Sequence, residues 1–321
     1  MKQQVFDPTT LIDVDFERHL AARKAYFSER TKGGVPDYSF NLDHSIRRKL
    51  NAVPLLRNAG EVLTSYVVPI VRQLNQMDAV AVGPKQFSDV HEMGVECARV
   101  LGIGIPQIFV MMDPVPNAFT YATGQTDQIV VLTSGLVEAL SLTQLRSVIG
   151  HECGHIHNEH VVYNTLWEMI TNPLANMLLM AASRGLGPFA GIFRIMTKGA
   201  LFLVFQRWHR CAEFTCDRAG LICSADLSAS IEVMGRLDTA GAESLQGFNA
   251  DEYIRQLDGI EGSPIRFLEL IKTHPIGPRR VKAMRYFGES EVLYRWRPEM
   301  KHGQTVRSHE DVDRDCAALL V

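Results

Sequence analysis

The chain has no block of like charge. Lys and Arg number 33 against 36 Asp and Glu, for a net charge of −3. Its basic residues cluster no further than pairs such as Arg47-Arg48 and Arg279-Arg280. A polyanion-binding face needs a patch or stripe of them, so nucleic acid is excluded as a main partner. The six cysteines (97, 153, 211, 216, 223, 316) include no C-x-x-C pair. The first residues, Met1 to Asp7, lack the apolar core and small-residue cleavage site of a secretory leader. Reduced thiols in the cytoplasm are therefore expected. Internal repeats and low-complexity tracts are missing too. So is a phosphate loop, because Gly102-Ile103-Gly104 lacks the further glycine and precedes a strand.

What is present is an ordinary globular composition, 46% hydrophobic and 21% charged over 321 residues. That length buries a core as one large domain or two small ones. Residues 1–84 read as helices (Leu11 to Arg30, Asp43 to Leu50, Gly60 to Met77) broken at Gly33-Gly34 and Pro54. They show no chemistry, and their expected role is packing. From Lys85 the patterns tighten into an amphipathic helix, Phe87 to Leu101, and a buried strand, Gln107 to Met112. A short strand, Asn117 to Ala122, turns at Gly124–Asp127 into a returning strand, Gln128 to Leu132. Ser141-Leu142-Thr143 opens a helix expected to run to about Trp167. Another helix covers Arg207 to Leu221. The expected division is an N-terminal helical region (1–84), a central domain (85–288) and a polar tail (289–321) of appended helix or coil.

The Ser141 helix carries Gly150-His151-Glu152-Cys153-Gly154-His155. Two histidines four residues apart share a helix face and are close enough to hold one zinc ion. The glutamate between them can take a proton from a water on that ion. At about 100° per residue Asn158 shares this face and Glu152 and Glu159 flank it, whereas His157 and His160 fall away; His157, Glu159 and His160 read as bystanders. Cys153 reads as a small apolar helix residue.

A catalytic zinc takes three protein ligands and keeps one position open. Glu213 is the candidate third ligand, because Asp217 one turn later can accept the free N–H of a zinc-bound histidine. Its neighbours Ala212, Phe214, Ala219 and Leu221 predict a buried helix, where a carboxylate needs a cation. His274, in Thr273-His274-Pro275, is either a turn residue or a donor to a developing oxyanion. The strand Asn117-Ala118-Phe119 is either an ordinary hairpin strand or an edge that pairs with an extended peptide.

In this order the pieces resemble the HtpX-like and CAAX-prenyl-protease-like zinc metallopeptidases, a gluzincin group. The matching stretches are Asn117-Ala118-Phe119, Thr133-Ser134-Gly135-Leu136, H-E-x-G-H at 151–155, E-x-x-x-D at 213–217, and T-H-P at 273–275 followed by Arg280. They cover residues from about 85 to 285. The resemblance implies an α+β, mostly helical fold, zincin-like, with a small mixed sheet beside the active-site helix. It implies one Zn2+ and hydrolysis of peptide bonds in a peptide or unfolded protein. It places Asn117 in the substrate groove and His274 at the site, on the substrate or the oxyanion, with Arg280 as a supporting partner.

Residues 169–206 are the most apolar stretch, where membrane members of the group often span the bilayer. Arg184, Arg194 and Lys198 interrupt it and Gly185-Leu186-Gly187-Pro188 breaks it. No uncharged run reaches the roughly 20 residues a span requires. A soluble helical pair beside the cleft is expected over peripheral membrane contact. The leading expectation is a cytoplasmic zinc endopeptidase with Glu152 as general base. The alternatives are a latent or chaperone-like peptide binder with a gated zinc site, and a zinc amidase acting on non-peptide amides.

Overall fold

A computed structural model describes residues 26–32, 34–123, 127–171, 200–239, 247–272, 274–301, 303 and 305–320. The expected helix from Leu11 therefore lies mostly outside the described residues, as does most of the apolar stretch 169–206.

The chain is α+β and mostly helical, with a four-stranded mixed sheet. Two short strands, β1 (Thr31–Lys32) and β2 (Val35–Pro36), pair with each other. They lead into α1 (Asn41–Asn51) and α2 (Pro54–Asp78). Pro54 is not a break outside the helix but its first turn, where the missing N–H costs nothing. The sheet contains β3 (Ala79–Ala81), β4 (Gln107–Met111), β5 (Ala118–Thr123) and β6 (Asp127–Thr133) in the order β3-β4-β6-β5. β4 and β6 run parallel and the other pairs antiparallel. Both faces are covered, so β4 and β6 read as continuous apolar runs. Ile108, Val130 and Leu132 enter the main core on one side. Phe109, Ile129 and Val131 meet Val68 of α2 on the other.

Helix α3 (Ser88–Leu101) and α4 (Ser134–Ala139) precede the central helix α5 (Leu142–His157). A reciprocal capping box starts α5: Ser141 accepts from the Gln144 N–H, and Gln144 accepts from the Ser141 N–H. The helix does not continue to Trp167. Asn158 donates its side-chain amide back to the Gly154 carbonyl at 2.9 Å, and Glu159 takes a left-handed φ of 55°. That residue reverses the chain, and a separate helix, α6 (Val161–Thr171), follows.

Helix α7 (Ala200–Ser224) crosses α5 at backbone contact. A Cβ on Gly154 would lie 2.7 Å from the Ala219 Cβ, and one on Gly220 would lie 2.6 Å from the Ser147 carbonyl oxygen. Glycine at these positions lets the helices approach closely enough for side chains one turn along to converge. Helices α8 (Leu227–Asp238), α9 (Ala250–Glu261) and α10 (Gly277–Gly288) complete the surround. The tail is not an appendage. In α11 (Glu291–Trp296) and α12 (His309–Ala318), Val292, Leu293, Trp296, Val312 and Cys316 are buried in the same core as α5. Among the described residues, no helix is long and apolar enough to cross a membrane.

Candidate metal centre and cleft

A cleft of about 410 Å3 opens between β5, α5, α7 and α8. Every site residue expected from the sequence lines it: Asn117 to Phe119, His151, Glu152, His155, Glu213, Asp217, His274 and Arg280.

His151 and His155 point into the cleft from one face of α5. Glu213 arrives from α7. Its Oε2 lies 3.6 Å from His151 Nε2, and its Oε1 lies 3.6 Å from His155 Nε2. A tetrahedral ion with bonds near 2.1 Å separates its donors by about 3.4 Å. Both separations are near that value, one through each carboxylate oxygen. The Nδ1 atoms face away from this point. That of His151 lies 3.0 Å from Asp217 Oδ1, and that of His155 lies 3.2 Å from His160 Nδ1.

A second donor grouping overlaps the first. Donor atoms of His151, His155 and Cys216 all lie within 4.8 Å of one another, a metal-capable cluster. Cys216 Sγ is 3.5 Å from His160 Nδ1, which places the thiol on the Nδ1 side of His155. Burial pushes that thiol well up, so it holds its proton. Glu213 faces the Nε2 side and is charged. Burial alone would raise its carboxyl, but His274, Arg280 and His151 more than offset this and hold it well below the carboxylate range. Both sets share His151 and His155.

Glu213 has a resident cation. Arg280 Nη1 lies 3.2 Å from its Oε2, and Arg280 also forks onto Asp217 through Nε at 2.9 Å and Nη2 at 2.5 Å. Burial of Glu213 therefore does not by itself require a metal. His274 Nδ1 lies 3.1 Å from the same Oε2, with its side chain 62% exposed at the rim. The negative charge of Glu213, opposed by burial, raises the pKa of His274.

Glu152 is buried beside His151. Burial raises its carboxyl, against the pull of His151 and a hydrogen bond from Thr120. The Thr120 hydroxyl donates to Glu152 Oε2. Thr120 was not among the expected site residues. The alternation of β5 was the available signal: Phe119 and Tyr121 pack toward α2, which turns Thr120 toward α5. Phe119 thus gives the cleft its strand and sends its side chain to the opposite core. Asn117 is tied at the start of β5, where its N–H donates to Thr133 Oγ1 at 2.9 Å.

Of the three expected bystanders, two stand off the metal face. His157 bonds the Tyr38 hydroxyl at 2.9 Å, and Glu159 pairs with Arg47 at 3.2 Å. His160 is different. It is fully buried, and the reversal at Glu159 returns its ring to His155. Asp43, in a region that showed no chemistry in the sequence, holds the far side of that ring at 3.0 Å.

The cleft lining is mixed: Val233, Met234, Leu237 and Met284 are apolar, and Asn164, Thr165 and His209 are polar. Among the described residues, the buried Asn164 Oδ1, Thr165 Oγ1 and His209 Nε2 atoms have no hydrogen-bond partner. Burial lowers the pKa of His209 to about 3, so it is a neutral imidazole.

Residues 84–287 match the profile of peptidase family M48. The chain is 30% identical over 233 residues to the plastoglobule-localized metallopeptidase 48 of Arabidopsis thaliana, covering 71% of this chain and 64% of that one. It is 25% identical over 230 residues to a protease HtpX homolog of Moorella thermoacetica, covering 65% and 75%. It is 27% identical over 208 residues to the protease HtpX of Nitrosococcus oceani, covering 59% and 67%. The chain thus spans just under two thirds of the length of the first of these relatives. No solved structure matches it.

Proposed function

The chain belongs to the metallopeptidases of family M48, and from that premise we propose that it is a zinc-dependent endopeptidase of the gluzincin type. His151, His155 and Glu213 would hold the ion. The observation that carries this reading is the pair of 3.6 Å separations from Glu213 to the two Nε2 atoms. A zinc ion there would lower the pKa of a bound water toward about 7 and polarise a carbonyl.

The protein groups supply the rest. Glu152 takes the proton of the attacking water and delivers it to the leaving amine. Its raised pKa suits a group that must carry a proton in one half of the cycle. Thr120 holds the carboxylate in place during that exchange. Asp217 fixes the tautomer of His151 and leaves its Nε2 free. Arg280 keeps Asp217 and Glu213 ionised together. His274, at the rim, donates to the oxyanion that forms on the substrate carbonyl. β5 is one of the two edge strands of the sheet. Its backbone receives an extended peptide or unfolded segment as an added strand. The reading places the chain in the cytoplasm, in keeping with six buried cysteines that form no disulfide.

A second reading is favoured by one distance. His274 Nδ1 sits 3.1 Å from Glu213 Oε2, close enough to complete a four-ligand, latent site. Cleavage of an unbiased peptide library by the zinc-loaded protein, with Glu152→Gln as control, separates the readings. Cleavage lost in the variant establishes the endopeptidase. A wild type that binds peptides and leaves them intact establishes the latent form.

A further inference from the structure

We propose that Asp43 and His160 form a hydrogen-bonded chain that orients His155, so that helix α1 takes part in building the metal centre. This rests on the reading of His155 as a ligand.

The bonds assign themselves from the metal outward. An imidazole that offers its Nε2 lone pair to a cation carries its hydrogen on Nδ1. His155 Nδ1 then donates to His160 Nδ1, 3.2 Å away. With that nitrogen accepting, the hydrogen of His160 sits on Nε2 and donates to Asp43 Oδ2 at 3.0 Å. Asp43 closes the chain. Its Oδ2 also accepts from the Thr215 hydroxyl at 2.6 Å, and its Oδ1 accepts from Trp208 Nε1 at 3.0 Å. Each nitrogen in the chain has one role, and both carboxylate oxygens are satisfied. Asp43 and His160 are buried at 1% and 0% exposure, so water does not compete for these bonds. Two further groups touch the chain. Cys216 Sγ lies 3.5 Å from His160 Nδ1, and Asn164 Nδ2 lies 3.4 Å from His155 Nδ1. The first is a weak donor, and the second faces a nitrogen that must itself donate.

The two ligand histidines are thus supported differently. His151 meets a carboxylate directly. His155 meets one through a second imidazole. Packing of α1 against α7 accounts for the bonds from Asp43 to Trp208 and Thr215. It does not account for His160, whose ring reaches His155 only because Glu159 adopts a left-handed backbone. Asp43 also lies outside the stretch matched to the family. These two are positioning residues; neither reaches the substrate cleft.

The test uses the full chain loaded with zinc or cobalt(II). Asp43→Asn and His160→Phe are compared with Tyr163→Phe, which removes a bond between α6 and α1, from the Tyr163 hydroxyl to Asn51 Oδ1, that involves no member of the chain. The expected result is zinc affinity weakened roughly 10–100-fold in the first two, by chelator competition. Their cobalt absorption bands shift as well. Tyr163→Phe lowers thermal stability and leaves affinity and spectrum unchanged. Wild-type affinity in Asp43→Asn and His160→Phe, or an equal loss in Tyr163→Phe, overturns the proposal. In case the variants do not fold, 15N NMR of the zinc-loaded wild type reads the imidazole tautomers directly. His160 is expected to be protonated on Nε2 alone, and protonation on Nδ1 overturns the chain. His155→Ala separates the underlying reading: undiminished zinc affinity there shows that His155 is not a ligand, which ends both ideas together.

Discussion

Asp217 Oδ1 lies 3.0 Å from His151 Nδ1, while Arg280 grips the same carboxylate from the other side. The histidine therefore keeps one tautomer. Removing the charge of Asp217 frees the ring and leaves Arg280 partly unpaired. Asp217→Asn is expected to weaken zinc binding roughly 10–100-fold. Competition with a chromophoric chelator measures this; an unchanged affinity removes Asp217 from the site.

Glu152 touches neither Nε2 atom's open side as a ligand, so its loss should leave the metal in place. Glu152→Gln is expected to bind zinc like the wild type and to lose peptide cleavage by roughly 10²–10⁴-fold or more. The two measurements, metal content and turnover on one peptide, must diverge. Undiminished cleavage would reject Glu152 as the base.

Glu213 has the largest expected effect on the metal. Glu213→Ala leaves two histidines and should cost more affinity than any supporting residue, beyond the roughly 100-fold upper range for those. Stripping the metal with a chelator should also lower the melting temperature of the wild type, because a ligand of the folded state stabilises it by about 4 kcal/mol at 1,000 times its Kd. Calorimetry with and without added zinc reads this shift, which should shrink sharply in Glu213→Ala.

Gly220 sits against the Ser147 carbonyl with no room for a methyl group. Gly220→Ala should destabilise the fold by about 1–3 kcal/mol, seen as a lower melting temperature. Zinc affinity should fall with it, because α7 carries Glu213.

Local patterns were readable in the sequence where one element decides its own surroundings. The capping box at Ser141, the runs of β4 and β6, and the shared face of His151 and His155 follow from spacing alone. Glu213 and Asp217 were readable because four residues make one helical turn. His160 was not. Helical periodicity turns it away from His155, and one left-handed residue at Glu159 turns it back. Asp43 was beyond reach for a different reason: it lies 117 residues from His160, and no local signal spans that interval. Thr120 required knowing which face of β5 meets α5. The tail misled because its buried residues sit in helices as short as Glu291–Trp296, too brief to establish a period.

The crossing of α5 and α7 at glycine has one more consequence. Where two helices meet through long side chains, rotamer changes let the axes drift. Here the main chains come close enough to touch, at Gly154 against Cys216 and Gly220 against Ser147. The spacing of α5 and α7 is then fixed by the scaffold, and only the side chains of His151, His155 and Glu213 remain free to adjust to what lies between them.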